Sequence, residues 1–350
     1  MSAIIRPLLL VLLAVHAAGC SPFFVLRATY EEAKILSRRQ SIERLVRDPS
    51  VPEERRAKLQ LVVQARDFAA DSLGLDAADS YTTFSQLDSD TLALVLSAAR
   101  RDAFEPYTWW FPIVGRVPYR GFFSERSAMR AAERMEARGF DTYVRPTSAF
   151  STLGWFNDPL VSTLLRYDSV SLASTVIHEI LHNTIYLPNN AIFNESFAQF
   201  VGSRGAIVFF CETYPDPQRC RQANQAWRDE LLFASFLDDL ISELEALYAR
   251  EDLSGEEKVR QREPIFARAR ETFEEEVQPR LGYLTFASFT RTPLNNASLI
   301  ARRIYYERLD LFEAVYQRMG GDFPRALAAM IEAAEASPRD PYGGVEQLLK

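Results

Sequence analysis

Residues 178–182 read His-Glu-Ile-Leu-His. On an α-helix, positions i and i+4 lie one turn apart on the same face. Both imidazoles therefore point into one space and can share one cation, and Glu179 stands beside them within reach of a water on that cation. The flanking Leu172, Val176, Ile177, Ile180 and Leu181 can bury the helix that carries them. The chain holds only three histidines, and the third is His16 near the start. A third histidine ligand in the mature protein is thereby excluded.

A zinc site of this type needs a third protein ligand and an open position for water. The carboxylate best placed is Glu195, in Asn194-Glu195-Ser196-Phe197-Ala198, after the break at Pro188-Asn189-Asn190. Two antiparallel helices joined by that turn would bring Glu195 back to the metal. Twelve residues separate it from His182, so the connection must be tight. Asp158, Asp168 and Glu212 are the alternative carboxylates. The Asn-Glu pair resembles the third-ligand helix of the gluzincins. That resemblance implies an oxyanion stabiliser on a later helix, often a tyrosine or histidine. Tyr305 is the first candidate and Tyr119 the second, set against the plain role of a packed tyrosine.

The amino terminus reads as an address. Arg6 is followed by the apolar run Leu8 to Val15, too short to span a bilayer and of a length that suits a signal peptide over residues 1–19. Ala17-Ala18-Gly19-Cys20 resembles the lipobox of bacterial lipoproteins, which implies that Cys20 is lipidated and heads the mature chain. Ser21 implies the outer membrane, facing the periplasm. The alternative is an ordinary secretory signal with an incidental cysteine. Export favours a disulfide between Cys211 and Cys220 across the turn-forming Pro215 and Pro217, with two free thiols as the alternative. The formal charge of −7 argues against nucleic acid as a partner.

Along residues 20–350 the pattern is mainly α with a small β portion. Residues 20–103 read as helices, and 104–160, rich in aromatics, glycine and proline, as short strands around a helix from Ser124 to Arg138. Residues 171–215 form the zinc-site helices, with Ser171 as N-cap. Trp227, Leu231, Ala234, Leu237, Ile241, Leu244 and Tyr248 recur at helical spacing, so 218–277 reads as a helical hairpin. Helices at Leu294–Met319 and Phe323–Ala336 close the chain, within 294–336.

Several stretches in this order resemble the bacterial lipoprotein family described as predicted aminopeptidases. They are Trp110-Phe-Pro-Ile-Val-Gly115, Pro118-Tyr-Arg-Gly-Phe-Phe-Ser124, Ser151-Thr-Leu-Gly-Trp-Phe-Asn-Asp-Pro159, His178 to His182, Asn194 to Ala198 and Leu294-Asn-Asn-Ala297. The resemblance implies a zincin-like active-site helix, with the hairpin as an insertion. It also implies zinc on His178, His182 and Glu195, with Glu179 as general base, and peptide or protein substrates. Ser151 to Phe156 is a candidate edge for an extended peptide, or else a buried loop. A second reading is an envelope adaptor that carries only a structural metal and binds another envelope protein through residues 218–277.

Overall fold

The computed structural model describes residues 34–89, 91, 93–111, 115–147 and 159–350. Cys20, Asp158 and the Ser151–Phe156 stretch lie outside them. The mainly α class with a small β portion holds.

The first elements are β1 (Gln40–Ser41), α1 (Ile42–Arg47), α2 (Glu53–Asp71), β2 (Thr83–Ser85) and β3 (Ala93–Arg100). The last two correct the reading of residues up to 103 as helices. The run Ala-Leu-Val-Leu-Ser-Ala-Ala-Arg is rich in helix formers, yet it pairs on both sides and becomes the central strand of a sheet. Tertiary pairing overrides propensity here. The chain continues through the hairpin β4 (Trp109–Phe111) and β5 (Gly115–Val117), then β6 (Tyr119–Phe122), α3 (Glu125–Glu136) and β7 (Phe140–Thr147).

The sheet order is β6-β3-β7, antiparallel throughout, with Leu96 opposite Arg120 and Val144, and Val95 opposite Gly121 and Arg145. Side chains alternate between faces along a strand. Leu96 and Phe122, with Leu94 and Val144, pack on Ala128, Ala131 and Ala132 of α3. The opposite face carries Ala93, Val95, Tyr119, Gly121 and Arg145, which line a large cavity. A second sheet joins β1, β2 and β8 (Leu160–Val161).

The helical part follows as α4 (Ser169–Thr184), α5 (Ala191–Val208), α6 (Pro217–Tyr248), α7 (Gly255–Thr272), the single turn α8 (Ser288–Arg291), α9 (Asn296–Tyr306), α10 (Leu309–Arg318), α11 (Phe323–Ala336) and α12 (Pro341–Glu346). Among the described residues no helix is long and apolar enough to cross a membrane. The expected helix over Leu294–Met319 is two helices. Arg308 adopts φ 53°, a left-handed conformation that ends α9 and starts α10. The main core gathers Phe193, Phe197, Phe200, Phe209, Phe312 and Phe323 with the apolar face of α4 and much of α2.

Three polar devices hold the site-bearing helices. Asp229 of α6 accepts the backbone N–H groups of Gly282, Tyr283 and Leu284, which pins that loop. The hydroxyl of Tyr283 then donates to Asp168, the residue capping α4. Asn296 is fully buried. It donates to the carbonyls of Arg100 and Ala103, accepts from the Tyr248 hydroxyl, and gives its N–H to Asp141. Asp141 in turn holds Arg262 of α7 by two bonds of 2.6 and 3.0 Å. The Asn295-Asn296 pair thus fixes the start of α9 between the sheet and the hairpin, with Asn295 as its N-cap.

Candidate active site

The helix α4 begins one residue after Asp168, whose carboxylate accepts the N–H groups of Val170 and Ser171 at 2.9 and 3.0 Å and the Ser171 hydroxyl at 2.7 Å. Asp168, not Ser171, is therefore the N-cap. The same bonds commit Asp168 to the helix terminus rather than to a metal. Ten residues after Asp168, His178 stands buried, and His182 follows one turn later, also buried.

The connection to α5 spans only residues 185–190. Asn194 closes it by accepting the Leu187 N–H at 3.0 Å and donating to the Leu187 carbonyl at 2.9 Å. Asn189 takes the left-handed conformation within the turn, at φ 65°. The Asn-Glu pair therefore has two jobs: Asn194 clamps the loop, and Glu195 turns toward α4. Close approach of the two helices depends on glycine. A Cβ on Gly202 would lie 2.6 Å from the carbonyl oxygen of Ser174 and 3.1 Å from the Cβ of His178.

Glu195 Oε2 lies 3.6 Å from His178 Nε2 and 3.9 Å from His182 Nε2. One donor atom from each residue falls within 4.8 Å of the others, so the three can hold one metal ion. The donor chemistry fits. Burial pushes His182 down to about 4, which keeps its imidazole neutral at neutral pH. Its Nδ1 is buried and has no hydrogen-bond partner among the described residues. Burial works against a carboxylate at Glu195, but the hydrogen bond with the adjoining His178, helped by the Arg145 guanidinium, more than offsets it and lowers its pKa. Burial also opposes charge on His178, and there Glu195, Glu179 and Glu230 prevail and raise it. Two imidazoles and one carboxylate form a zinc-type set. Glu212 is exposed, on the outer end of the π-helical turn Phe209–Thr213, and does not join it.

The three donors open onto a cavity of about 710 Å³, together with Glu179, Tyr119, Arg145, Tyr186, Gln199, Glu230 and Tyr305. Tyr305 projects from α9, with its ring centroid 6.3 Å from that of His178. Its hydroxyl accepts from Arg145 Nη2 at 3.2 Å, and the guanidinium also lies over its ring. Burial, with the charge of Glu195 next, pushes Tyr305 up to about 12, so its proton stays on the oxygen at neutral pH. Tyr119 is raised by the same two causes. Both tyrosines anticipated from sequence thus face the cavity.

Arg145 and Glu230 were not anticipated. Arg145 could have been found from strand alternation, since Val144 faces α3 and the next residue must face the other way. Gln199 and Ser203 follow Glu195 at i+4 and i+8, so they continue its helical face along the cavity wall. Glu230 comes from the middle of α6. The hairpin read as an insertion contributes Ala223, Ala226 and Glu230 to the cavity. Cys211 and Cys220 are bonded to each other, tying the π-helical turn after α5 to the first turn of α6.

The family model described as "Putative aminopeptidase" matches residues 23–340. No curated protein and no solved structure matches the chain.

Proposed function

The chain belongs to this family of putative aminopeptidases, and we propose that it is a zinc-dependent peptidase of the bacterial cell envelope. One observation carries the reading. His178, His182 and Glu195 converge on the wall of a cavity that also presents Glu179, Tyr305 and Arg145. A structural zinc site is closed by a fourth protein ligand. Here the three-residue group opens onto space for a substrate, which favours catalysis over the adaptor reading.

His178, His182 and Glu195 would hold the ion, and zinc bound there supplies Lewis acidity and an acidified water. Glu179 takes the proton of the attacking water and returns it to the leaving amine. Tyr305 is the hydroxyl donor toward the carbonyl oxygen as negative charge develops on it. Arg145 orients that hydroxyl and adds a fixed positive charge. Cys20 is the proposed site of lipidation, and the proposed location is the outer membrane facing the periplasm. Both rest on the sequence pattern around residues 17–21.

Metal analysis and peptide cleavage test the reading together. The purified protein should carry about one zinc per chain, as a single site of this class requires. Chelation should abolish cleavage and zinc should restore it. Normal zinc content in both His178→Ala and His182→Ala, or no cleavage of any peptide by zinc-loaded protein, would overturn it.

A further inference from the structure

Glu230 is the acidic group in the cavity that the proposed chemistry leaves without a task. It is 7% exposed and lines the same space as the metal-competent group. Its two oxygens are held separately. Oε1 accepts from Gln199 Nε2 at 3.0 Å, and Oε2 accepts from the Ser203 hydroxyl at 2.8 Å. Both partners are neutral. Among the described residues no lysine, arginine or histidine forms an ion pair with it. A buried carboxylate without a cation is costly, and such groups are usually paired. Burial accordingly pushes it up to about 7, a carboxyl that gains from the arrival of a cation.

We propose that Glu230 receives the free α-ammonium group of the substrate and so restricts the site to amino-terminal residues. The inference rests on the peptidase reading above. Its warrant is position. Gln199 is one helical turn beyond Glu195 and Ser203 two turns, so the carboxylate they hold lies on the order of 5–11 Å along α5 from the metal-competent group. The amine nitrogen of an amino-terminal residue is about 2.5 Å from its own carbonyl carbon. A charge-assisted hydrogen bond adds about 2.8 Å, and a metal–oxygen bond about 2 Å. Together with the carbonyl bond these distances reach at most about 8–9 Å end to end, which falls within that span. A lysine or arginine side chain at the same residue would carry its charge several ångströms farther and overshoot. Ser174, Ala206, Ala223 and Ala226 also line the cavity and leave room for the side chain of that first residue.

The test compares zinc-loaded parent, Glu230→Gln and Ser203→Ala. Substrates are one peptide with a free amino terminus, its acetylated form, and an acetylated form with lysine before the scissile bond. The parent should cleave the free peptide and reject both acetylated ones. Glu230→Gln should raise KM for the free peptide about 10–100-fold, the loss expected for a hydrogen bond to a charged group, with zinc content unchanged. Ser203→Ala should fall between the two proteins. Calorimetric binding of leucinamide against N-acetyl-leucinamide supplies a readout that needs no turnover. The parent should prefer the free amine at least tenfold, and Glu230→Gln should lose the preference. Equal leucinamide affinity in parent and variant overturns the anchor whether or not any peptide is cleaved. Cleavage of the acetylated peptide as fast as the free one overturns the anchor and leaves the peptidase standing. Preference for the acetylated lysine peptide assigns Glu230 to a basic side chain instead. No cleavage of any peptide, with amine preference intact, overturns the peptidase reading and leaves the anchor.

Discussion

Gly202 of α5 lies so close to Ser174 of α4 that a Cβ on the glycine would stand 2.6 Å from the Ser174 carbonyl oxygen. That obstacle is backbone, which cannot swing aside as a side-chain end can. The contact sets the distance between the helix carrying both histidines and the helix carrying Glu195. Gly202→Ala should therefore push the helices apart. The cost is about 1–3 kcal/mol of overpacking, partly offset by about 1 kcal/mol of better helix propensity. Zinc affinity should fall together with the melting temperature. Unchanged zinc affinity in a competition assay would show that the spacing is not set here.

Glu179 and Glu195 are two carboxylates with different proposed tasks. Glu179→Gln should keep the zinc and lose about 10²–10⁴-fold in rate, because a carboxamide cannot accept and return a proton. Glu195→Gln should weaken zinc binding itself. Metal content and peptide cleavage on both variants separate the roles. Zinc retained at parental affinity by Glu195→Gln would remove it from the ligand set.

The proposed anchor makes a simple prediction of location. Cys20→Ala should release the exported protein from the membrane fraction, since among the described residues no helix is suited to span a bilayer. Membrane retention of this variant, read by fractionation, would rule out lipid at Cys20.

How much of this was legible in sequence depends on whether the signal was local. The paired histidines were legible because helical spacing alone brings i and i+4 together, and the short loop made Glu195 the nearest returning carboxylate. Strand β3 was not legible, because its alanines and leucines favour a helix and only the flanking β6 and β7 make it a strand. The break at Arg308 has no glycine or proline to mark it. The cap at Asp168 is a local signal, an aspartate one residue before the helix, and competes in the sequence with Ser171, whereas its bond from Tyr283, 115 residues away, is visible only in the fold. Glu230 lay hidden for the same reason. Its meaning depends on Gln199 and Ser203, about thirty positions earlier, and on a cavity no periodicity reveals.

Tyr305→Phe removes one hydroxyl and leaves the ring on His178 and under Arg145. With a donor to the developing oxyanion gone, kcat should fall about 10²–10³-fold. KM and zinc content should change little, since the hydroxyl acts on charge that builds only during reaction. An unchanged kcat would return Tyr305 to a packing role and leave Arg145 and Tyr119 as the candidates.

The raised pKa of Glu230 has a consequence for stability that can be measured apart from activity. Burial moves it to about 7 in the folded protein, against an ordinary 4.5. Between those values the folded protein holds a proton that the unfolded chain has released. Stability therefore falls as pH rises through this window. The contribution is fully present below 4.5 and lost above about 7, a swing of up to about 3 kcal/mol at full burial. Glu230→Gln has nearly the same shape, keeps a carbonyl acceptor for the Ser203 hydroxyl, and cannot ionise. It should match the parent near pH 4 and be more stable by about 1–3 kcal/mol at pH 8. Urea unfolding of both proteins at the two pH values reads the difference directly. A gap that does not widen with pH would mean that Glu230 titrates as an ordinary carboxyl. A gap that widens as expected would show a carboxylate kept in the cavity at the expense of stability, in a variant whose loss of amine recognition cannot then be ascribed to misfolding.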